Sequence, residues 1–369
     1  MSTKGWTMTQ QPTAAEELSE RIFTAGVAAA ELAGVYLGVV LGLYRPLADP
    51  ANLTCAELAA CTGVDRRYAR EWLQGQVISG FVTTSGPDLE TATFSLPPGG
   101  RDVLVDELSP TYLAALAQFP AALGRAMPAL VRAYRSGSGV PLDEYGADGV
   151  TAQAALNRPA YHNELAESWI AAIPDLAARL ADRDHPARVA DLGCGGGWAG
   201  ISLAVRYPQI TVDAYDADRT SVSFARRNAA DSDVADRVVA RVHDLAEPLP
   251  DETRYDLVML LECVHDMAYP ARVLATARNC LAPDGVVLVM DEATDDELIA
   301  PTDDPVQRFF GAISPIWCLP QGRSAPDADP VGTVIRASRM AELAAEAGFD
   351  RTEILPIENP FYRFYRMRA

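Results

Sequence analysis

Residues 189–200 read VADLGCGGGWAG, an apolar run that ends in a carboxylate and then breaks into glycines. Glycines directly behind a strand let the backbone approach a ligand closely and leave the N–H groups of the next helix facing it. Two ligands fit the spacing. Gly195-x-Gly197-x-x-Gly200 has the form that cradles the pyrophosphate of a dinucleotide, whereas Asp191-x-Gly193-x-Gly195-x-Gly197 has the form that admits the ribose and amino acid tail of S-adenosylmethionine. Charge favours the second, because Asp191 at the strand end suits an ammonium and would repel a pyrophosphate. Asp216 closes the run TVDAYD about twenty residues beyond the glycines, where a carboxylate accepts both ribose hydroxyls of either ligand. Asp244, in the HDL that ends the next apolar run, offers an acceptor for an adenine amino group.

These residues need a rigid frame, and the alternating texture from residue 188 onward supplies one. RVADLG, TVDAYD, VVARVHD, YDLVMLL and GVVLVMDE read as strands, with ISLAVRY, SVSFARRNAA and ARVLATARNCL as helices between them. This order implies right-handed crossovers and a parallel sheet. After the helix SRMAELAAEAGF, RTEILPI and FYRFYRM are joined by ENP, which is too short for a crossover, so these last two strands must pair antiparallel. The expected fold class is α/β, with a Rossmann-like sheet preceded by an all-helical or winged-helix domain and a helical connector.

Upstream, Thr54 is placed to cap a short helix, Gly63 to supply a turn, and Asp65 to cap a second helix whose Tyr68, Trp72, Val77 and Ile78 are expected to face inward. FVTTSGPDLETATFSL reads as a hairpin wing. The sequence thus divides into a winged-helix dimerisation domain at 15–104, a helical connector and lid at 105–181, and an α/β domain at 182–369. The apolar stretch 22–44 carries Glu31 in mid-run, a charge that costs roughly 2.5–3.5 kcal/mol at a bilayer centre, so a buried helix pair at a subunit interface is expected rather than a membrane span. Acidic EELSE precedes it, which argues against a signal peptide.

The chain of 369 residues carries a formal charge of −19, which opposes binding to phosphate backbones and anionic membrane surfaces. Arg66, Arg67 and Arg70 would be the DNA-facing residues of the second helix, yet residues 1–110 hold seven basic side chains against thirteen acidic ones. The six cysteines form no CxxC pair and no zinc spacing with the four histidines, so no metal is expected, and reduced thiols fit a cytoplasmic location.

Taken in order, VADLGCGGG, AYDAD, HDLAEPLP, YDLVMLLECVHDM, LAPDGVVLVMDE and AELAAEAGF resemble the successive motifs of class I S-adenosylmethionine-dependent methyltransferases. The whole chain is similar to the bacterial subgroup with an N-terminal winged helix, which includes small-molecule O-methyltransferases; CLPQG at 318–322 and the FYRFY ending suit it. The resemblance implies a seven-stranded methyltransferase sheet, S-adenosyl-L-methionine as cofactor and a homodimer built through the N-terminal domain. It places Gly193, Gly195 and Gly197 along the methionine and ribose, Asp191 at the ammonium, Asp216 on the ribose, Asp244 with Leu245 on the adenine, and Glu262 near the methionine tail.

His265 of ECVHDM resembles the base in the HDW segment of winged-helix O-methyltransferases, and Asp291 stands where those enzymes carry an acid that orients the imidazole, a role Glu292 is also placed to take. A packing or capping role for His265 stays open. Tyr161, Phe309, Phe310 and Trp317 are the expected substrate contacts. The function that follows is methyl transfer to a small molecule, foremost to the oxygen of a phenol or hydroxylated secondary metabolite. The alternatives are a winged-helix regulator that reads DNA and senses a metabolite, a methyltransferase fold catalysing a non-methylating reaction, and, more distantly, a nicotinamide dehydrogenase.

Overall fold

A computed structural model of the chain describes residues 13–48, 52–250 and 252–368. The chain divides after Asp106 into two compact units.

The first unit holds an antiparallel sheet of β1 (Leu53–Thr54), β2 (Thr83–Thr84) and β3 (Thr93–Ser95) in the order β1-β3-β2, beside the helices Cys55–Thr62 and Arg66–Ile78. Thr54 and Glu57 cap the first helix reciprocally, Gly63 ends it at φ 71°, and Asp65 Oδ1 accepts the N–H groups of Arg67 (2.9 Å) and Tyr68 (3.2 Å) to start the second. The buried stripe of that second helix is Ala69, Trp72, Leu73 and Gln76. Tyr68 and Ile78 lie off the stripe and are exposed, which corrects the inward placement expected for them. Polar anchoring sets this rotation: Trp72 Nε1 donates to the Gly34 carbonyl at 2.8 Å, and the Tyr44 hydroxyl donates to Gln76.

Residues Ala14–Val40 form one helix of 27 residues, not the expected buried pair. After it the chain turns at Gly42 (φ 67°) into Tyr44–Leu47, a helix too short to cover the apolar face that precedes it. Leu18, Ile22 and Phe23 are therefore 58%, 67% and 73% exposed, and by length and composition alone this helix is apolar enough to cross a membrane. Gly38 marks its close approach to the rest of the unit, since a Cβ there would lie 2.3 Å from the Tyr44 ring. The three arginines of the second helix are ion-paired locally, Arg66 and Arg70 sharing Glu90 at 2.6 and 2.8 Å and Arg67 meeting Glu71.

The second unit is built on β4 (Arg188–Leu192), β5 (Thr211–Asp216), β6 (Val238–Val242), β7 (Tyr255–Leu261), β8 (Leu281–Glu292), β9 (Arg351–Ile354) and β10 (Tyr362–Arg368). Their order is β6-β5-β4-β7-β8-β10-β9, parallel through β8 and closed by β10, which runs antiparallel to both its neighbours. This is the expected seven-stranded sheet. Alternate residues of β7 enter opposite cores: Leu257, Met259 and Leu261 pack with Trp169, Leu203 and Phe364, while Val258 and Leu260 pack with Tyr215, Leu274 and Met340. Burial on both faces is why these strands read as continuous apolar runs. The helices Gln118–Ser136, Ala147–Ala160 and Pro174–Ala181, with a π-helix at Tyr161–Ile170, belong to the same unit. Strand order reverses at β4, so a crevice opens at the carboxyl ends of β4, β5 and β7.

Candidate active site

A cavity of about 450 Å³ occupies that crevice. Its floor is the turn after β4. Gly193 and Cys194 donate to the Tyr215 carbonyl at 2.8 and 3.1 Å, which ties the turn to the end of β5. Gly193 sits at φ 76°, and a Cβ there would meet Cys263 Sγ at 2.9 Å. Gly195, at φ 50°, has open space where its Cβ would stand, so the backbone itself forms the cavity surface at that point. Gly197 lies beneath the wall, where a Cβ would fall 2.9 Å from that of Ala225.

Asp216 closes β5 and lines the cavity. Its Oδ2 accepts the Gly195 N–H at 2.9 Å and its Oδ1 accepts the Asp218 N–H at 2.8 Å, so both oxygens are fixed and each keeps a lone pair for a further donor. Burial pushes its pKa up to about 6, against the pull of those two amides. Asp244, Leu245 and Ala246 form the neighbouring wall, with Asp244 Oδ1 held by the Ala246 N–H at 2.9 Å.

Glu262 follows β7 with φ 54°, in the left-handed region. That turn directs its carboxylate at Asn157, whose amide donates to Oε2. Burial pushes Glu262 up to about 7, with His265 pulling the other way. Asp191 is placed differently: it stands behind the turn rather than on the wall, and its Oδ2 accepts the Gly200 N–H at 3.2 Å. Burial raises it to about 7.

His265 lies in a short 3₁₀ turn at Val264–Asp266 and is 2% exposed. Its Nδ1 is 2.6 Å from Asp291 Oδ1 and 2.7 Å from Glu292 Oε2, while its Nε2 is 3.3 Å from Asp266 Oδ1. Burial disfavours the charged imidazole, but Asp266, Glu292 and Asp291 together outweigh burial and hold it well above 6.5. Asp291 is pushed up by burial yet held below its ordinary range by His265, whereas burial keeps Glu292 well above its own. Charge is therefore favoured on the imidazole and on Asp291 and disfavoured on Glu292. The donor atoms of His265, Asp291 and Glu292 lie within 4.8 Å of one another, as do those of His265, Asp266 and Cys318; the Asp291 contact is a hydrogen bond, while Glu292 Oε2 and Asp266 Oδ1 have no hydrogen-bond partner. Asp291 meets the imidazole as the resemblance implies, but neither residue lines the cavity; Asp266 does.

Of the four aromatic residues expected at the substrate, Tyr161 lines the cavity. Trp317 packs between Phe119 and Tyr145 at centroid distances of 4.7 and 4.6 Å, in the core of the helical region. The helix Pro305–Ile313 turns Phe310 inward and leaves Phe309 44% exposed, away from the cavity wall. The apolar pattern of this insert serves packing, which corrects the reading of Phe309, Phe310 and Trp317 as cavity contacts. Sequence reasoning missed Asn157, Asp218, Asp266, Gln321 and Ser324, all of which line the cavity.

The cavity fits an adenosyl sulfonium. A glycine cradle open at Gly195 leads to Asp216 on one side and Glu262 on the other, whose carboxylates offer oxygens to hydroxyl or ammonium donors. The lining includes Asp216, Asp218, Asp244, Glu262 and Asp266 and contains no lysine, arginine or histidine. A pyrophosphate there would face uncompensated repulsion, about 4 kcal/mol for each pair of unit charges 4 Å apart in a protein-like dielectric.

Residues 161–354 match a family model described as a methyltransferase domain, and residues 30–105 match one described as an Rv2258c-like winged HTH domain. The chain is 29% identical over 211 residues to the ubiquinone biosynthesis O-methyltransferase of Bordetella pertussis, covering 56% of this chain and 78% of that protein. It is 24% identical over 106 residues to the malonyl-acyl-carrier-protein O-methyltransferase of Halalkalibacterium halodurans, covering 29% of this chain and only 39% of that protein. Human N-acetylserotonin methyltransferase, solved in complex with SAM, is similar with a TM-score of 0.64 at 18% identity, over 98% of this chain and 99% of that one. At that identity the likeness is one of fold.

Proposed function

We propose, for a chain that belongs to the methyltransferase domain family and uses S-adenosylmethionine as its cofactor, that the acceptor is the hydroxyl oxygen of a small phenol or hydroxylated metabolite. The observation that carries this reading is the arrangement of Asp216, Gly195 and Glu262 around one cavity at the strand ends, with Asp266 on the same wall. When bound, the cofactor supplies an electrophilic methyl group on a sulfonium.

The chain's own residues then act by position. Asp216 takes the ribose hydroxyls, Asp244 and Leu245 the adenine, Gly193 and Gly195 the tail and ribose, and Glu262, held by Asn157, the ammonium. Asp191 and Gly197 support the turn from behind. Tyr161 closes the cavity toward the acceptor. His265 and Asp291 act as positioning residues through Asp266. Alignment of this kind supplies about 7–11 kcal/mol of barrier reduction, more than the roughly 10²–10⁴-fold of a single base, so catalysis rests chiefly on geometry. The test is transfer of a labelled methyl group to a panel of hydroxylated aromatics, with product mass as readout. An added methylene on oxygen is the expected result; cofactor binding with no mass gain across the panel would favour a non-methylating reaction.

The apolar row Leu18, Ile22, Phe23 and Val27 on Ala14–Val40 supports a second copy of the chain as its partner, giving a homodimer. Because Arg66, Arg67 and Arg70 are tied to Glu90 and Glu71 and acidic residues outnumber basic ones over residues 1–110, this unit favours a protein partner over duplex DNA. Sedimentation equilibrium is expected to give twice the chain mass, unchanged by duplex DNA at low salt. A monomer, or a mass that rises with DNA and falls back as salt is added, would reverse the assignment.

A further inference from the structure

We infer that Asp266 anchors the acceptor and that the acceptor is neutral or cationic, presenting an O–H or N–H donor, while molecules bearing a carboxylate or phosphate are excluded. This rests on the cofactor reading above and concerns the remaining part of the same cavity. Three of the five lining carboxylates have places along the cofactor, Asp216 at the end of β5, Asp244 after β6 and Glu262 beside Asn157, and a fourth, Asp218, caps the helix Arg219–Asp231 by accepting the Ser221 N–H. Asp266 is left over. It lies on the stretch Asp266–Tyr269, against the turn of the C-terminal insert that contributes Gln321, Ser324 and Ala325 to the same cavity.

His265 lies behind Asp266, its Nε2 3.3 Å from Oδ1, with Asp291 and Glu292 at the opposite edge of the imidazole. That approach is not a hydrogen bond: Asp266 Oδ1 is buried without a hydrogen-bond partner, which leaves the carboxylate with unmet acceptor capacity. No lysine, arginine or histidine lines the wall beside it, and the cation nearest to Asp266 among these contacts is the His265 imidazole behind it. Three arginines come near without lining it, among them Arg272, which stacks on Tyr269 at 4.9 Å and pairs with Glu247 at 2.9 Å. Arg158 stacks on Trp198 and pairs with Glu107 at 2.8 Å, and Arg323 donates twice to the Gly137 carbonyl in the adjoining hollow. An anionic acceptor would meet these carboxylates with no cation on the wall to pair with, whereas an ammonium or hydroxyl would bring a donor to Asp266.

The test titrates the full chain, saturated with S-adenosylhomocysteine, with tyramine and with 4-hydroxyphenylacetate, which share a phenol and differ in an ammonium or carboxylate arm. Wild type is expected to bind tyramine at least about tenfold more tightly, and Asp266→Asn to cut that ratio to about threefold or less. Asp266→Glu is expected to restore part of the preference, and S-adenosylhomocysteine affinity reports that each variant is folded. Equal or inverted preference in wild type, an unchanged ratio in Asp266→Asn, or no tyramine binding by a protein that binds S-adenosylhomocysteine overturns the inference. Failure of wild type to bind S-adenosylhomocysteine would strike the cofactor assignment instead.

Discussion

Replacing His265 with alanine is expected to lower the unfolding free energy by about 3–5 kcal/mol near neutral pH, the cost of stranding buried charges whose partner has been removed. The imidazole holds Asp291, which is fully buried, and touches Glu292 and Asp266 as well. Without it Asp291 keeps only backbone donors and a neighbouring acid. The pH dependence separates this from simple loss of volume. His265 is held above its usual 6.5, so its stabilising contribution is full below pH 6.5 and is lost as the pH rises through the elevated value. Asp291 is held below 3.8, so its contribution is present above pH 3.8 and is lost as the pH falls through the lowered value. The gap between wild type and His265→Ala in urea denaturation should therefore be widest between pH 3.8 and 6.5 and narrow on the alkaline side. His265→Gln, which keeps a donor for Asp291, should recover part of it. A loss of under about 1 kcal/mol, the size of an exposed ion pair, would show that the cluster is not charged as assigned.

The parts of this molecule that were legible in the sequence are those set by local chemistry. Gly193, Gly195 and Asp216 fall where their spacing places them, because a glycine turn behind a strand and an acid at the end of the next strand are adjacent once the sheet is parallel. The antiparallel closure was readable from the three-residue link between the last two strands. What was not legible depended on contacts between distant segments. Asn157 meets Glu262 across 105 positions, and no spacing rule announces that pair. Trp317 has the composition of a substrate contact but fills the space between Phe119 and Tyr145. His265 and Asp266 are neighbours in the chain, yet which one faces the cavity follows from how a single 3₁₀ turn is rotated against β8. The apolar stretch at 22–44 suggested burial, and the turn at Gly42 instead leaves one long helix uncovered within its unit.

Asp216→Ala is expected to weaken S-adenosylhomocysteine binding by about 10- to 150-fold, the value of charge-assisted hydrogen bonds lost to the ribose. The variant also frees the Gly195 and Asp218 amides that the carboxylate now holds, so part of the loss is preorganisation of the turn. The proton inventory isolates the ribose contacts. The pKa of Asp216 is raised from 3.8 to about 6, and only the carboxylate form accepts from both hydroxyls, so wild-type affinity should fall as pH drops through about 6. The same shift acts on the apo fold in the opposite sense: a raised pKa gives stability that is fully present below pH 3.8 and lost as the pH rises through about 6. At this residue, acid therefore favours the folded chain while weakening the ligand, and the loss of affinity cannot be ascribed to its unfolding. Glu262, near 7, adds its own dependence to wild type and variant alike, while Asp191, also near 7, is raised in part by Asp216 and so shifts down in the variant. The difference between the two titration curves belongs to Asp216 and to its effect on Asp191, and calorimetry from pH 5 to 8 that gave parallel curves would remove the carboxylate from the ribose.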